Sequence, residues 1–209
     1  MPSTMIVLSI GVAAALAGAV VAYLLQVKGI IGKRKDQKIS NGEKKSSVES
    51  DILQKYIGYF ALVPSFRASS KNEAIKKLVE IAHERFPKIV CNVEHAEESV
   101  FMREDSMPTG LDNGIAVPHG RTDGVTQITG VLALVDNSEN ENGIIPDYDT
   151  IDHSKIQILC LTLIPNSINT HYLQLIAIFI RILQNTENRE ELLSCKTEKE
   201  MARFFNSLI

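Results

Sequence analysis

An apolar segment near the start of the chain limits how the rest of the sequence can be arranged. The run MIVLSIGVAAALAGAVVAYLL covers residues 5–25, and no charged side chain occurs in residues 1–27. At about 1.5 Å per residue, a helix of this length crosses a hydrocarbon core of about 30 Å. We therefore expect residues 1–27 to form one transmembrane anchor helix, with a folded domain later in the chain.

The charges that follow this segment predict its orientation. Seven Lys and Arg side chains occur in residues 28–45, whereas none precedes the apolar run. Because Lys and Arg accumulate on the cytoplasmic side of a membrane helix, we expect a single-pass protein of the inner (cytoplasmic) membrane with its domain in the cytoplasm. The alternative is a cleaved secretory signal, but such a signal has a basic N-terminal region and a shorter apolar core.

A polar segment separates the apolar run from the remaining sequence. Residues 32–50, GKRKDQKISNGEKKSSVES, are charged and almost free of apolar side chains, so they cannot bury enough surface to fold. We predict a basic flexible tether over residues 28–50 and a domain over residues 51–209. A net charge of −3 gives no sign of nucleic-acid binding, and three cysteines without CxxC spacing indicate reduced thiols rather than a disulfide framework.

Helical and strand periods alternate in the predicted domain. The sequence SKNE at residues 70–73 is a capping box that predicts a helix running to about Arg85. Further helices are predicted at 95–104, in a segment after Pro165 that carries His171, Leu173, Ile176, Ile180 and Leu183, at 189–194 and at 198–208. Strand-length apolar runs occupy 114–117, 128–135 and 156–164, and a long polar surface loop covers 136–152. This order predicts an α/β/α sandwich, in which helices flank a mixed sheet, preceded by one transmembrane helix.

Two of the five histidines stand at the ends of predicted elements. His119 follows a strand-like run in a loop bent by proline and glycine, and His171 lies in the first turn of a predicted helix. If the strands that lead to them are neighbours, both imidazoles face one crevice at the edge of the sheet, where α/β proteins bind ligands. A neutral imidazole is a competent nucleophile at pH 7, since its reference pKa is about 6.5. The chain has no HxxxH or HExxH spacing of the kind found in zinc sites.

Three further side chains near the first histidine could bind an anion. Arg103, Thr109 and Arg121, together with a helix N-terminus, offer donors suited to a phosphoryl group. Each has an alternative interpretation. Arg103 could form a surface ion pair with Glu104, Thr109 could only terminate a helix, and Arg121 could contact an acidic surface of a partner.

The segment MREDSMPTGLDNGIAVPHGR, residues 102–121, followed by NTHYLQLIAIFIRIL at 169–183, resembles the enzyme IIA domain of the mannitol/fructose class of the bacterial phosphoenolpyruvate-dependent sugar phosphotransferase system. The resemblance extends over roughly residues 51–209. It implies that His119 is phosphorylated by the carrier protein HPr and passes the group to an enzyme IIB domain. It also implies that His171 supports the phosphorylated state and that Arg103 neutralises phosphoryl charge, without a cofactor or a metal.

The sequence departs from that family in two features. A predicted membrane helix precedes the domain, and no segment resembles enzyme IIB or a sugar channel, so we expect another polypeptide to carry out any transport. The loop at 136–152 is longer and more acidic than the resemblance leads us to expect. The alternative function is a membrane-tethered regulatory module, similar to the nitrogen-related branch of the family, whose phosphorylation state controls binding to a transporter or kinase.

Overall fold

The computed structural model describes residues 47–137, 145, 147–167 and 171–209, except for the side chains of Ser47 and His171. The predicted anchor helix and the predicted tether up to residue 46 lie outside these ranges. Within the described ranges, no helix has the length and apolar character needed to span a bilayer.

The described part of the chain forms alternating helices and strands. In order they are α1 (Ser47–Ile57), β1 (Phe60–Phe66), α2 (Lys71–Arg85), α3 (Val93–Ser106), β2 (Ile115–Ala116), β3 (His119–Thr122), β4 (Thr129–Val135), β5 (Ile158–Pro165), α4 (His171–Gln184), α5 (Thr186–Ser194) and α6 (Glu198–Ser207). The predicted helices after residue 70 are all present. Strand β1 was not predicted, and α1 begins four residues before the predicted domain boundary at residue 51.

Side-chain caps set where the first two helices after β1 begin. The Ser70 side chain accepts a hydrogen bond from the backbone N–H of Glu73, as the capping-box sequence predicts. The Glu73 carboxylate, however, accepts from the backbone N–H of Ser69 at 2.7 Å. Asn92 caps α3 in the same way by accepting from the backbone N–H of His95, so α3 begins two residues earlier than predicted.

The five strands form one mixed sheet in the order β1-β4-β5-β2, with β3 also paired to β5. Strand β4 runs parallel to β1 and antiparallel to β5, while β2 and β3 both run parallel to β5. Every residue of β4 and β5 is buried, which is typical of central strands covered on both faces.

Helices cover both faces of this sheet. Alternate residues of β4, Val131 and Ala133, belong to one apolar cluster with α2 and α3. On the other face, the ring of Phe60 lies 4.9 Å from the ring of Phe179 in α4, which in turn contacts Phe205 of α6. The predicted α/β sandwich with a mixed sheet flanked by helices is therefore confirmed.

The apolar stripe of α4 differs in part from the predicted one. Ile180 and Leu183 are buried as expected, but Leu173 is 38% exposed. Tyr172 and Leu175 are buried in its place. From Tyr172 onward the buried residues follow the three- and four-residue spacing of a helix. The buried face is therefore shifted by one residue at the start of α4.

Strands β2 and β3 form one edge of the sheet, interrupted at Pro118. Ile115 is paired with Ile158 and His119 with Thr162, so the register against β5 is the same before and after the interruption. The Pro118 carbonyl accepts a hydrogen bond from Thr162 N at 3.0 Å. The prediction of a bent loop at His119 was therefore wrong, because proline is tolerated in an edge strand and the chain returns to the ladder directly after it.

A glycine in β3 allows α3 to approach the edge of the sheet. A Cβ on Gly120 would lie 2.8 Å from Val100 N and closer still to Ser99 Oγ. No other residue fits unless α3 moves away, and α3 is the helix that carries Arg103.

We expect Gly120→Ala to lower the free energy of unfolding by about 1 to 3 kcal/mol, since the added methyl group forces α3 away from β3. Urea denaturation followed by circular dichroism measures this change. The matched control is Gly58→Ala, because nothing lies within 4 Å of that Cβ. A Gly120→Ala variant as stable as Gly58→Ala would contradict the close approach.

Candidate active site

The register of β3 against β5 fixes the position of His119. Its Cα pairs with that of Thr162, so the strands that lead to His119 and to α4 are neighbours, as expected. Gly120 faces α3, and side chains alternate along a strand, so His119 and Arg121 share the opposite face. Both side chains are partly exposed at the edge of the sheet.

Hydrogen bonds assign the two nitrogens of the His119 ring. Nδ1 lies 2.9 Å from the backbone carbonyl oxygen of Val117, which can only accept, so Nδ1 carries the proton. Nε2 therefore presents its lone pair. This nitrogen is the nucleophilic atom of the ring.

Arg103 of α3 lies directly against that nitrogen. Its Nε donates to His119 Nε2 at 3.2 Å, and its Nη1 donates to the backbone carbonyl of Met107 at 2.8 Å. The alternative of a surface ion pair with Glu104 is wrong, since Glu104 is buried and its carboxylate accepts hydrogen bonds from Thr109.

The surroundings of His119 keep its ring neutral. Partial removal of the ring from water is the largest effect and lowers the pKa of His119 from 6.5 to about 4. The hydrogen bond to Val117 opposes this shift, and the Arg103 charge adds a smaller lowering. Burial also lowers the pKa of Arg103, and the negative charge of Glu104 partly counteracts that shift. A guanidinium nevertheless stays protonated at neutral pH, so the site contains a neutral nucleophile beside a fixed positive charge.

Thr109 is buried beside the site, and its hydroxyl is already engaged. Oγ1 donates to Glu104 Oε2 at 2.7 Å, and the backbone N–H donates to Glu104 Oε1 at 2.9 Å. The backbone carbonyl of Thr109 accepts from Val117 N at 3.2 Å. The structure thus connects Thr109 to the strand that carries His119. Its direct contact with a phosphoryl group stays a prediction.

Arg121 lies two residues beyond His119 on the same face of β3. Its Nη2 donates to the backbone carbonyl of Asn166 at 2.9 Å, and its guanidinium carbon lies 5.5 Å from the centre of the Tyr172 ring. The aromatic ring therefore lies next to the Arg121 cation.

His171 is the first residue of α4, as the sequence predicts, but its side chain lies outside the described part of the structure. Its contact with His119 stays a prediction. Among the other histidines, His95 Nδ1 is hydrogen-bonded to the Asp123 carboxylate at 2.8 Å, and His83 Nδ1 is hydrogen-bonded to the Val90 carbonyl at 2.8 Å.

Sequence reasoning did not identify three features of the site. The Val117 carbonyl, Tyr172 and Tyr148, whose hydroxyl lies 3.3 Å from Thr109 Oγ1, were not among the candidates. A backbone carbonyl has no sequence signal. The position of Tyr172, directly after a candidate histidine at a helix start, is a signal that was available.

The arrangement suits the transfer of an anionic electrophile. A neutral imidazole with one defined lone pair can attack phosphorus, and the adjacent guanidinium can stabilise the charge on the transferred oxygens. The geometry brings Arg103 and His119 together in one site, with Arg121 on the same strand face.

Comparisons with known proteins agree with this chemistry. The family described as phosphoenolpyruvate-dependent sugar phosphotransferase system, EIIA 2, matches residues 62–208. The fructose-specific EIIA component of the phosphotransferase system from Haloferax volcanii is 28% identical over 131 residues, which is 63% of this chain and 79% of that protein. A nitrogen regulatory protein from Bradyrhizobium diazoefficiens is 24% identical over 132 residues, 63% of this chain and 80% of that protein.

A solved structure has the same fold. The complex of mannitol enzyme IIA with phosphorylated mannitol enzyme IIB from Escherichia coli matches with a TM-score of 0.53 and 19% identity, covering 70% of this chain and 94% of that one. At this identity the likeness shows the fold alone.

We expect the His119 imidazole to stay neutral until the pH falls to about 4. Between pH 6.5 and 4 the unfolded chain binds a proton that the folded chain does not, so this group lowers stability as the pH falls. Titration of the imidazole by NMR measures the pKa directly. Arg103→Gln should raise the pKa only partly, since burial remains.

A wild-type titration midpoint near 6.5 would contradict the desolvated site. A full return to 6.5 in Arg103→Gln would instead show that the guanidinium charge, rather than burial, is the main cause of the low pKa.

Proposed function

Because the chain belongs to the EIIA 2 family of the phosphoenolpyruvate-dependent sugar phosphotransferase system, we propose that it is a phosphoryl carrier that accepts the group on His119 and passes it to an enzyme IIB domain. The observation that carries this proposal is the contact of 3.2 Å between Arg103 Nε and the unprotonated Nε2 of His119. It places a fixed positive charge at the nucleophilic nitrogen.

The transfer step follows from the ring's hydrogen bonds. The Nε2 lone pair attacks phosphorus, the bond between phosphorus and the donor nitrogen breaks, and its electron pair returns to the donor imidazole. The proton stays on Nδ1, where it is hydrogen-bonded to the Val117 carbonyl, and this hydrogen bond stabilises the positive charge that the ring gains. Arg103 exchanges its bond to Nε2 for bonds to the phosphoryl oxygens, which keeps the dianion next to a cation.

The remaining candidates have supporting roles in this scheme. Arg121, on the same face of β3, binds the phosphoryl group as a second cation, and the Tyr172 ring holds its side chain in place. Thr109 supports the phosphoryl site through its backbone carbonyl, which is hydrogen-bonded to Val117 N on the segment that carries His119. His171 donates to the phosphorylated ring or its phosphoryl group from the start of α4. The step needs no cofactor and no metal, because cations and amides supply the stabilisation.

The donor in this scheme is an HPr-like phosphocarrier and the acceptor an enzyme IIB domain. The acceptor is supported by the fold shared with a IIA protein solved in complex with its IIB partner. The fructose-specific relative supports a role in sugar uptake, in the mannitol/fructose class.

A second function is favoured by the similarity to a nitrogen regulatory protein. In that case the phosphorylated and unphosphorylated forms bind a transporter or kinase differently. The chemistry at His119 is the same, so the two functions differ only in the step that follows phosphorylation.

The apolar run at 5–25 and the basic residues after it support a membrane location. We place the domain in the cytoplasm beside its partner protein, where a tether raises the local concentration of donor and acceptor.

We expect His119→Gln to abolish acceptance of labelled phosphoryl from HPr in the presence of enzyme I and phosphoenolpyruvate, since the nucleophilic nitrogen is lost. The matched control is His95→Gln, because His95 is an exposed histidine bonded to Asp123. It should be labelled like the wild type. Labelling that persists in His119→Gln would refute the assigned site.

The same assay tests the role of His171 and distinguishes the two proposed functions. His171→Ala should accept some phosphoryl but transfer it more slowly to an enzyme IIB domain, and an unchanged transfer rate would exclude a role in transfer. A wild-type protein that is phosphorylated but transfers nothing to any IIB domain of its organism would favour the regulatory function.

The orientation is tested with a single cysteine in the tether. Cys91 is exposed, so the test uses Ser40→Cys in a chain whose three native cysteines are replaced by serine. In intact cells this cysteine should resist an impermeant thiol reagent and react after lysis. Rapid reaction in intact cells would contradict a cytoplasmic domain.

A further inference from the structure

A buried hydrogen-bond network lies behind the reactive histidine. Its members are Glu104 at the end of α3, Thr109 in the segment that follows, and Tyr148 from the segment before β5. Their exposed fractions are only 1%, 5% and 4%. A buried carboxylate is costly unless hydrogen bonds compensate it, so this network must be fully paired to persist.

The carboxylate of Glu104 is satisfied on both oxygens. Oε1 accepts from the Thr109 backbone at 2.9 Å, and Oε2 accepts from the Thr109 hydroxyl at 2.7 Å. The hydroxyl of Tyr148 lies 3.3 Å from Thr109 Oγ1, within hydrogen-bonding distance. Since the Thr109 proton is donated to Glu104, the Tyr148 hydroxyl is the donor toward Thr109.

Backbone hydrogen bonds extend this network to the ring. The Thr109 carbonyl accepts from Val117 N at 3.2 Å, and the Val117 carbonyl accepts from His119 Nδ1 at 2.9 Å. A change in the position of Thr109 therefore displaces the carbonyl that assigns the ring's proton. That proton decides whether Nε2 has a free lone pair.

The network also reaches the arginine. Glu104 follows Arg103 directly in α3, and Arg103 Nη1 donates to the Met107 carbonyl, two residues before Thr109. Arg103 and His119 are therefore both connected by hydrogen bonds to the turn after α3 that Glu104 stabilises.

The segment that supplies Tyr148 is packed closely against this turn. A Cβ on Gly110 would collide with the carbonyl of Asp149, so the two backbones are in direct contact. Ile145 is buried in the apolar cluster, and the Asp147 carboxylate accepts from Lys71 N at 2.7 Å. The residues on both sides of Tyr148, Asp147 and Asp149, therefore contact other parts of the fold and fix its position.

We infer that Tyr148 is a positioning residue for phosphoryl transfer, acting through Glu104 and Thr109 to keep the proton of His119 on Nδ1. This inference rests on the proposed function for the transfer itself. Tyr148 touches neither the reacting nitrogen nor the phosphoryl group in this scheme. Its hydroxyl stabilises the position of the Val117 carbonyl, which together with the Arg103 Nε donor keeps the tautomer that leaves Nε2 free to attack.

The test is Tyr148→Phe in the full chain, which keeps the ring and removes only the hydroxyl. We expect acceptance of phosphoryl from phospho-HPr to slow about tenfold, the effect of roughly one lost hydrogen bond at a buried group. The nitrogen chemical shifts of His119 in the unphosphorylated protein should show a smaller fraction of the tautomer with its proton on Nδ1. Glu104→Gln, which keeps the shape but removes the charge, should shift both measurements in the same direction.

The matched control is Thr150→Val. Thr150 is buried in the same segment and donates to the Ser154 carbonyl at 2.8 Å, away from Glu104. It should lower stability while leaving the tautomer and the transfer rate unchanged. Equal tautomer fractions and rates in Tyr148→Phe and wild type would overturn the inference, as would the same change in Thr150→Val.

The two readouts separate this inference from the proposed function. A wild-type protein that accepts no phosphoryl would refute the function, whereas the tautomer measurement needs no phosphoryl donor. A tautomer shift without a rate change in a protein that does accept phosphoryl would overturn the positioning role.

Discussion

The close contact between α3 and β3 is the constraint on which the candidate site depends. It requires glycine at position 120, because the backbone of Val100 and the side chain of Ser99 occupy the space of a side chain there. The contact places the last turn of α3 over the edge strand, which brings Arg103 to within a hydrogen bond of His119. Strand β3 is also held in register by β5. The packing of α3 on β3 and the pairing of β3 with β5 together determine the distance of 3.2 Å between Arg103 Nε and His119 Nε2.

The site shows how a protein keeps an imidazole reactive without a base beside it. Burial disfavours the protonated ring, and a backbone carbonyl selects which nitrogen carries the remaining proton. The nucleophile is therefore prepared by desolvation and by one hydrogen bond to a group that cannot titrate. Arg103 supplies the positive charge, because its guanidinium stays protonated at neutral pH although partial burial lowers its pKa.

Local patterns predicted the helices well, because capping residues and apolar periodicity act within a few residues of each other. Ser70 is one example. Strand β1 was not predicted, since FALVPSF contains a proline and its pairing with β4 is a contact between distant parts of the chain. For the site, the sequence indicated the histidine and arginine but not the burial of Glu104. A carboxylate that follows an arginine in the sequence suggests a surface ion pair. Only the fold shows that Glu104 is buried and accepts hydrogen bonds from Thr109 instead.

The contacts of α1 bring the two ends of the described domain together. The hydroxyl of Ser50 donates to the backbone carbonyl of Ile209 at 2.7 Å, and Glu49 is paired with Arg181 of α4. Ends of a domain that meet in this way can be joined by a short loop, and new ends can be opened at a surface turn elsewhere. The domain is therefore a suitable starting point for circular permutation, in which the order of the elements changes while the sheet and the edge that carries the candidate site keep their arrangement.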